Sequence, residues 1–165
     1  MATTFSTKAP QTHEEFMAEA IRLAVDNIDN QGGPFGAVIV KDGRIVATGA
    51  NRVTANNDPT AHAEVMAIRE ACKTLGTFNL QGCAIYSSCE PCPMCLSAIY
   101  WAGITELYYG CNKVDAAAIG FDDKFIYDEL ATPEDQRQIH YTTLLRDGAL
   151  EAFRKWDAKI DKIEY

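Results

Sequence analysis

The chain is expected to fold as an α/β protein built on a layered sheet, and three observations predict it. Apolar residues recur at helical spacing near the start of the chain. Two β-rich runs then flank Lys41-Asp42-Gly43, a strong hairpin signal. Beyond Thr60, helical and strand patterns alternate. A hairpin gives antiparallel neighbours, and strands separated by helices give parallel ones, so one end of the sheet is parallel.

Taken in order, residues 1–10 read as a loose arm. From Thr12 to Asn27, Phe16, Ala20, Leu23, Ala24 and Val25 form a helical stripe, and Thr12 with Glu15 fits a capping box. Gly32-Gly33-Pro34 ends that helix. Phe35 to Val40 and Arg44 to Thr48 are the hairpin strands, and Asn51 to Thr60 is a long polar loop. A helix runs from about Ala61 to Leu75, with Gly76 as its stop. Cys83 to Ser87 is a short apolar strand. Pro91-Cys92-Pro93 opens a helix to about Trp101, and Glu106 to Gly110 is a further buried strand. Asp115 to Gly120 suggests a small helix or turn, Ile139 to Leu145 one more strand, and Asp147 to Lys159 a final helix before Lys162-Ile163-Glu164-Tyr165.

A length of 165 residues fits a single domain, and a hydrophobic content of 47% supports a good core. The net charge of −8 repels phosphate backbones, so nucleic acid is not an expected partner. No basic-then-apolar leader and no apolar run of about 18 residues is visible, so no membrane partner is expected either. Six cysteines in a chain that needs no staples point to a reducing, cytoplasmic setting, where closely spaced cysteines serve as ligands or catalytic groups.

His62-Ala63-Glu64, answered by Pro91-Cys92-Pro93-Met94-Cys95, is the chemical core. Cys92 and Cys95 share a helix face at the N-terminus, where the dipole favours the thiolate that a metal requires. His62 and Glu64 are two apart, and both can lean toward one end only in a first helical turn. His62, Cys92 and Cys95 are therefore candidate zinc ligands, and three protein ligands leave a fourth position for water. Glu64 is a carboxylate the metal does not need, which points to hydrolysis. Cys89 repeats the Cys-x-x-Cys spacing with Cys92; it reads as a small buried residue, with a closed structural site of His62, Cys89, Cys92 and Cys95 as the alternative. Cys72, Cys83 and Cys111 read as core, and His13 and His140 have no neighbouring ligands.

His-x-Glu followed by Pro-Cys-x-x-Cys is the signature of zinc deaminases of bases and nucleosides, a textual motif the field already assigns to them. Gly33-Pro34-Phe35-Gly36-Ala37-Val38-Ile39-Val40, Asn57-Asp58-Pro59-Thr60-Ala61-His62-Ala63-Glu64 and Ser88-Cys89-Glu90-Pro91-Cys92-Pro93-Met94-Cys95 resemble that superfamily. Gly120-Phe121-Asp122-Asp123-Lys124-Phe125-Ile126-Tyr127 and the Lys162-Ile163-Glu164-Tyr165 terminus narrow the resemblance to the bacterial-type guanine deaminases. The resemblance implies a three-layer cytidine-deaminase-like fold, with a central five-stranded mixed sheet and helices on both faces. It also implies a homodimer in which a C-terminal segment, about residues 125–165, is swapped to the partner subunit. One Zn2+ per subunit and a small-molecule purine substrate follow from the same resemblance.

The implied reaction, a step of purine catabolism, turns guanine and water into xanthine and ammonia. Zinc lowers the pKa of water to about 7. Glu64 takes the water proton, passes it to the purine N3, and later helps protonate the departing amino group. By resemblance Asn51 hydrogen-bonds the purine, Phe35 packs against its ring, Asp123 meets the guanine N–H edge and relays a proton, and Tyr165 closes the site. Read without the resemblance, Asp122-Asp123 is a solvated acidic turn and Phe35 a core residue. Guanosine, cytosine or tRNA adenosine as substrate, and a zinc-stabilised binding module without catalysis, are the competing readings.

Overall fold

Residues 11–165 are described by the structure, a computed structural model, so the arm read over residues 1–10 lies outside the described residues. Helix α1 (His13–Ile28) starts at a closed capping box: the Glu15 amide donates to Thr12 Oγ1 at 3.2 Å, and the Thr12 amide donates to Glu15 Oε2 at 2.8 Å. Strands β1 (Gly36–Lys41) and β2 (Arg44–Ala50) are joined through Asp42 and Gly43, at φ 50° and 70°. Two successive positive φ values give the tight turn whose twist matches its strands. The polar stretch after β2 contains one helical turn, α2 (Val53–Asn56). Helix α3 (Ala63–Leu75) stops at Gly76, φ 64°, and is followed by β3 (Cys83–Cys89), α4 (Pro93–Trp101), β4 (Glu106–Cys111) and α5 (Lys113–Ala118).

The sheet order is β2-β1-β3-β4. β1 is antiparallel to both β2 and β3, and β3 is parallel to β4. Alternate residues serve opposite faces. Val38, Val40, Ala84 and Tyr86 pack on Phe16 and Ala20 of α1. Ala37, Ile39, Ala47 and Ile85 pack on the Ala63, Ala67 and Ala71 stripe of α3 and on Ile99 of α4. Helices therefore cover both faces, as expected.

The expected strand count is corrected: the sheet has four strands among the described residues, not five. Residues 139–145, read as a strand, have no regular structure and are exposed. Apolar and β-branched spacing is a local preference, whereas a strand exists only where another backbone completes its ladder. β4 is also less buried than its sequence suggests, because it is an edge strand with one neighbour.

Small residues set how closely α3 approaches the sheet. A Cβ on Gly49 of β2 would meet the Ala63 carbonyl oxygen at 2.2 Å and the Ala67 nitrogen at 2.5 Å. Both are helix backbone, which cannot rotate away. Gly49→Ala is expected to cost about 1–3 kcal/mol through overpacking. Thermal unfolding of the zinc-loaded protein should show Tm lowered by about 2–4 °C per kcal/mol; an unchanged Tm would contradict this close approach.

The chain divides into two compact units, the first ending at Asp123 and the second spanning Lys124–Tyr165. The second holds α6 (Lys124–Ala131), a 3-10 turn (Glu134–Gln136) and α7 (Arg146–Asp157), close to the final helix expected over Asp147 to Lys159. Arg137 organises its middle: Nε donates to the Thr132 carbonyl at 2.8 Å and Nη1 to the Tyr141 hydroxyl at 3.0 Å. Among the described residues no helix is long and apolar enough to cross a membrane.

A three-residue metal cluster beside a buried carboxylate

His62 and Cys92 are both helix N-caps. His62 has φ −70° and ψ 157° before α3, and Cys92 has φ −65° and ψ 168° before α4. Each holds an extended backbone while its carbonyl accepts the first helical amide, Met66 N at 2.9 Å and Leu96 N at 2.9 Å. Pro93 at the first helical position fixes this entry, since its missing N–H is one the helix could not pair. Two helix N-termini thus converge, and Cys95, one turn along α4, completes the group from a fully buried position.

His62, Cys92 and Cys95 bring their ligand atoms within 4.8 Å of one another. His62 Nδ1 is 3.5 Å from the Cys92 sulfur and 3.5 Å from the Cys95 sulfur. Tetrahedral zinc with ordinary Zn–N and Zn–S lengths sets nitrogen and sulfur about 3.6 Å apart. The donor set and its spacing therefore fit zinc. Hydrogen bonds from Cys95 and His62 hold the Cys92 thiol down to about 4, which favours the thiolate that a metal requires. The His62 ring is raised in turn, first by the Cys92 sulfur.

Glu64 lies in the first turn of α3 and is 6% exposed, far below what an unpaired surface carboxylate would show. The Ser87 hydroxyl donates to its Oε1 at 3.1 Å, and the Cys95 thiol also bonds it. Burial raises the Glu64 carboxyl above its ordinary value, and these hydrogen bonds pull the other way. A carboxyl raised in this way holds its proton to higher pH than a solvated one does.

The alternative role for Cys89 is corrected by its position. Its sulfur bonds the Asn112 carbonyl at 3.8 Å, and among the described residues it is not a member of the cluster. Cys83 is buried and Cys72 half-buried, but Cys111 is exposed at the end of the edge strand rather than in the core.

Asn51, just past β2, is buried. Its Oδ1 accepts from Val53 N at 3.2 Å and Gly33 N at 3.4 Å, which turns the amide so that Nδ2 is the end left to donate. Phe35 packs on the core and meets Phe121 edge-on, with ring centroids 4.9 Å apart. Asp123 closes the first unit, half-buried; burial raises its carboxyl, and the negative Cys92 sulfur adds to the rise. Tyr165 lies in the second unit and is exposed there.

Ser87 and Asn27 were not singled out in the sequence. Ser87 sits in a strand buried at every position, so a polar pair, Ser87-Ser88, inside an otherwise apolar run was the available signal. Asn27 interrupts the buried side of α1, and its Nδ2 donates to the carbonyls of Gly33 and Asn51, both at 2.8 Å. It ties the helix end to the loop that carries Asn51.

Residues 10–111 match the family described as the cytidine and deoxycytidylate deaminase zinc-binding region. A guanine deaminase from Bacillus subtilis (strain 168) is 51% identical over 154 residues, covering 93% of this chain and 99% of the relative. Its X-ray structure superposes with a TM-score of 0.91 over 94% of this chain and 99% of that one. A structure of guanine deaminase from Nitrosomonas europaea is similar at 32% identity, TM-score 0.68, over 92% of this chain and 88% of that one. A tRNA-specific adenosine deaminase from Agrobacterium fabrum is 43% identical, over 67% of this chain and 72% of the relative. The chain belongs to the cytidine and deoxycytidylate deaminase family of zinc-binding proteins, on the branch that includes the guanine deaminases.

Proposed function

We propose that this protein hydrolyses the 2-amino group of guanine, giving xanthine and ammonia, as a step in purine breakdown in the cytoplasm. One observation carries the choice of substrate. The tRNA-specific relative covers 67% of this chain, whereas the Bacillus guanine deaminase covers 93% and so includes most of the chain beyond the metal cluster. The charge of −8 also favours a small neutral base over a polyanion.

In this reading His62, Cys92 and Cys95 hold one zinc per subunit, which when bound supplies the acidity that makes water nucleophilic at neutral pH. Glu64 accepts the proton of that water and delivers it to the purine N3 as oxygen bonds to C2. The same carboxylate then takes the proton of the new C2 hydroxyl and gives it to the amino nitrogen, so that the C2–N bond breaks, the carbonyl forms and ammonia leaves, one group working as base and then as acid. Ser87 holds Oε1 of Glu64 and fixes the direction of the other oxygen. Asn51 donates from Nδ2 to an acceptor on the purine, and Phe35 packs on the ring. Asp123 accepts from the guanine N1–H and amino edge and relays a proton. A buried acceptor left unpaired is costly, so this edge discriminates against adenine.

The active form is a homodimer with residues from about 125 to 165 exchanged, so that Tyr165 closes the partner's site. Apolar side chains stay exposed in the single chain, among them Val25, Ile28 and Ile119 in the first unit and Leu145, Phe153 and Ile160 in the second, which supports an assembled state. Deleting Lys162 to Tyr165 is expected to lower kcat/KM for guanine about 10- to 100-fold through lost positioning. Zinc content should hold. Unchanged kinetics would remove the tail from the mechanism.

Ammonia release from guanine, guanosine, cytosine and adenine tests the whole reading. Guanine should turn over fastest, with stoichiometric xanthine. Faster release from guanosine or cytosine, or none from any, would overturn it.

A further inference from the structure

We propose that Asn27 is a positioning residue for substrate: its side-chain amide closes a ring of hydrogen bonds that fixes Asn51 and Phe35, a role that rests on both of them meeting the base. Asn27 is the next-to-last residue of α1 and is 4% exposed. Its Nδ2 donates to the carbonyls of Gly33 and Asn51, both at 2.8 Å. The Gly33 carbonyl also accepts from Phe35 N at 2.8 Å, and the Phe35 carbonyl accepts from Asn51 N at 3.0 Å. The bonds therefore run from Asn27 to Gly33, to Phe35, to Asn51 and back to Asn27. Both residues have their main chain held inside that ring. The Asn51 side chain is tied to it as well, since Oδ1 accepts from Gly33 N at 3.4 Å.

The ring needs one nitrogen that gives two hydrogens to two carbonyls. A side-chain amide has them, and a carboxylate of the same shape has none. Arg52 sets which way the amide turns: its Nη1 donates to Asn27 Oδ1 at 3.5 Å and to the Asn30 carbonyl at 3.0 Å. The main-chain carbonyl of Asn27 accepts from Asn30 N at 3.0 Å and Gly32 N at 3.1 Å, so the turn that leads to Gly33 starts from the same residue. The fit is close, because a Cβ on Gly32 would run into Asn27 Nδ2 and the Asn51 carbonyl. Removing the amide takes a donor from both carbonyls, and a buried acceptor without its donor is costly, so the two segments should move apart to find water. His62 and Glu64 stand at the start of α3, and Cys92 and Cys95 at the start of α4, all outside the ring. The loss should therefore fall on binding of the base more than on the chemical step.

The test compares the zinc-loaded full chain with Asn27→Ala and Asn27→Asp, by guanine kinetics and by hydrogen exchange of single backbone amides. Alanine suits a helix and removes the group, whereas aspartate keeps the shape and, as a carboxylate, only accepts. Both variants should lower kcat/KM about 10- to 100-fold, mostly through KM, with zinc content held. Exchange should quicken at the Phe35 and Asn51 amides, which lie in the ring, and stay slow in β3. In an Asn51→Ala background, Asn27→Ala should cost a smaller factor than in the native chain, because part of what it positions is already gone. A residue that only stabilised the fold would lower Tm, leave KM alone and act equally in both backgrounds. The proposal is overturned by a native KM in Asn27→Ala, by native kinetics in Asn27→Asp, by equal factors in the two backgrounds, or by unchanged exchange at those two amides. A native chain that releases no ammonia from guanine would instead overturn the choice of substrate, and the exchange rates would then decide whether Asn27 holds the ring.

Discussion

Glu64→Gln is expected to retain zinc and lose turnover, with kcat falling about 10²- to 10⁴-fold, the usual worth of a positioned proton carrier. Glutamine keeps the size of the side chain and a carbonyl oxygen for the Ser87 hydroxyl, which donates at 3.1 Å in the native site. It cannot take a proton from water. The carboxyl is 6% exposed, and burial raises it, which suits the proton carrier proposed for it. Because burial disfavours the charged carboxylate, the neutral amide should leave Tm unchanged or slightly raised. Steady-state deamination of guanine, zinc content and thermal unfolding on one preparation separate these effects. A variant that keeps most of its kcat would remove Glu64 from the chemistry.

Cys95→Ser is expected to abolish stoichiometric zinc, activity and part of the stability together. The Cys95 side chain is fully buried in α4, and its sulfur is 3.5 Å from His62 Nδ1, so no water can replace it as a ligand without opening the core. Metal bound only to the folded state stabilises it by about 4 kcal/mol when free zinc is a thousand times the dissociation constant. Chelation should therefore lower Tm of the native protein and leave the variant's Tm where it is. Cys89→Ser provides the contrast: its sulfur faces Asn112, and its loss should leave zinc content unchanged. Zinc loss in Cys89→Ser, or retention in Cys95→Ser, would reassign the ligands.

Much of the site was legible because its geometry is local. Proline before and after Cys92 marks a helix start, the three-residue step to Cys95 sets a shared face, and His62 as a cap explains how His62 and Glu64 point the same way. The hairpin at Asp42-Gly43 and the box at Thr12 and Glu15 were likewise written in a few adjacent residues. What was not legible depends on partners far along the chain. Residues 139–145 have strand-like spacing, but no spacing says whether a ladder awaits them. Cys111 reads as core because its strand is apolar, and it is exposed because that strand has a neighbour on one side. Ser87 acquires meaning only when β3 places it against Glu64, 23 residues earlier, and Asn27 only when it reaches Asn51. The roles of Asp123 and Tyr165 rest on resemblance, since an acidic turn and an aromatic terminus carry no chemistry of their own.

X-ray absorption at the zinc edge of the purified, zinc-loaded protein tests the central claim most directly. The predicted spectrum has two sulfurs at about 2.3 Å and two lighter atoms at about 2.0 Å, one an imidazole nitrogen and one an exchangeable oxygen. A third sulfur at that distance would mean that Cys89 or another thiol closes the site, leaving no place for water, and would contradict the account.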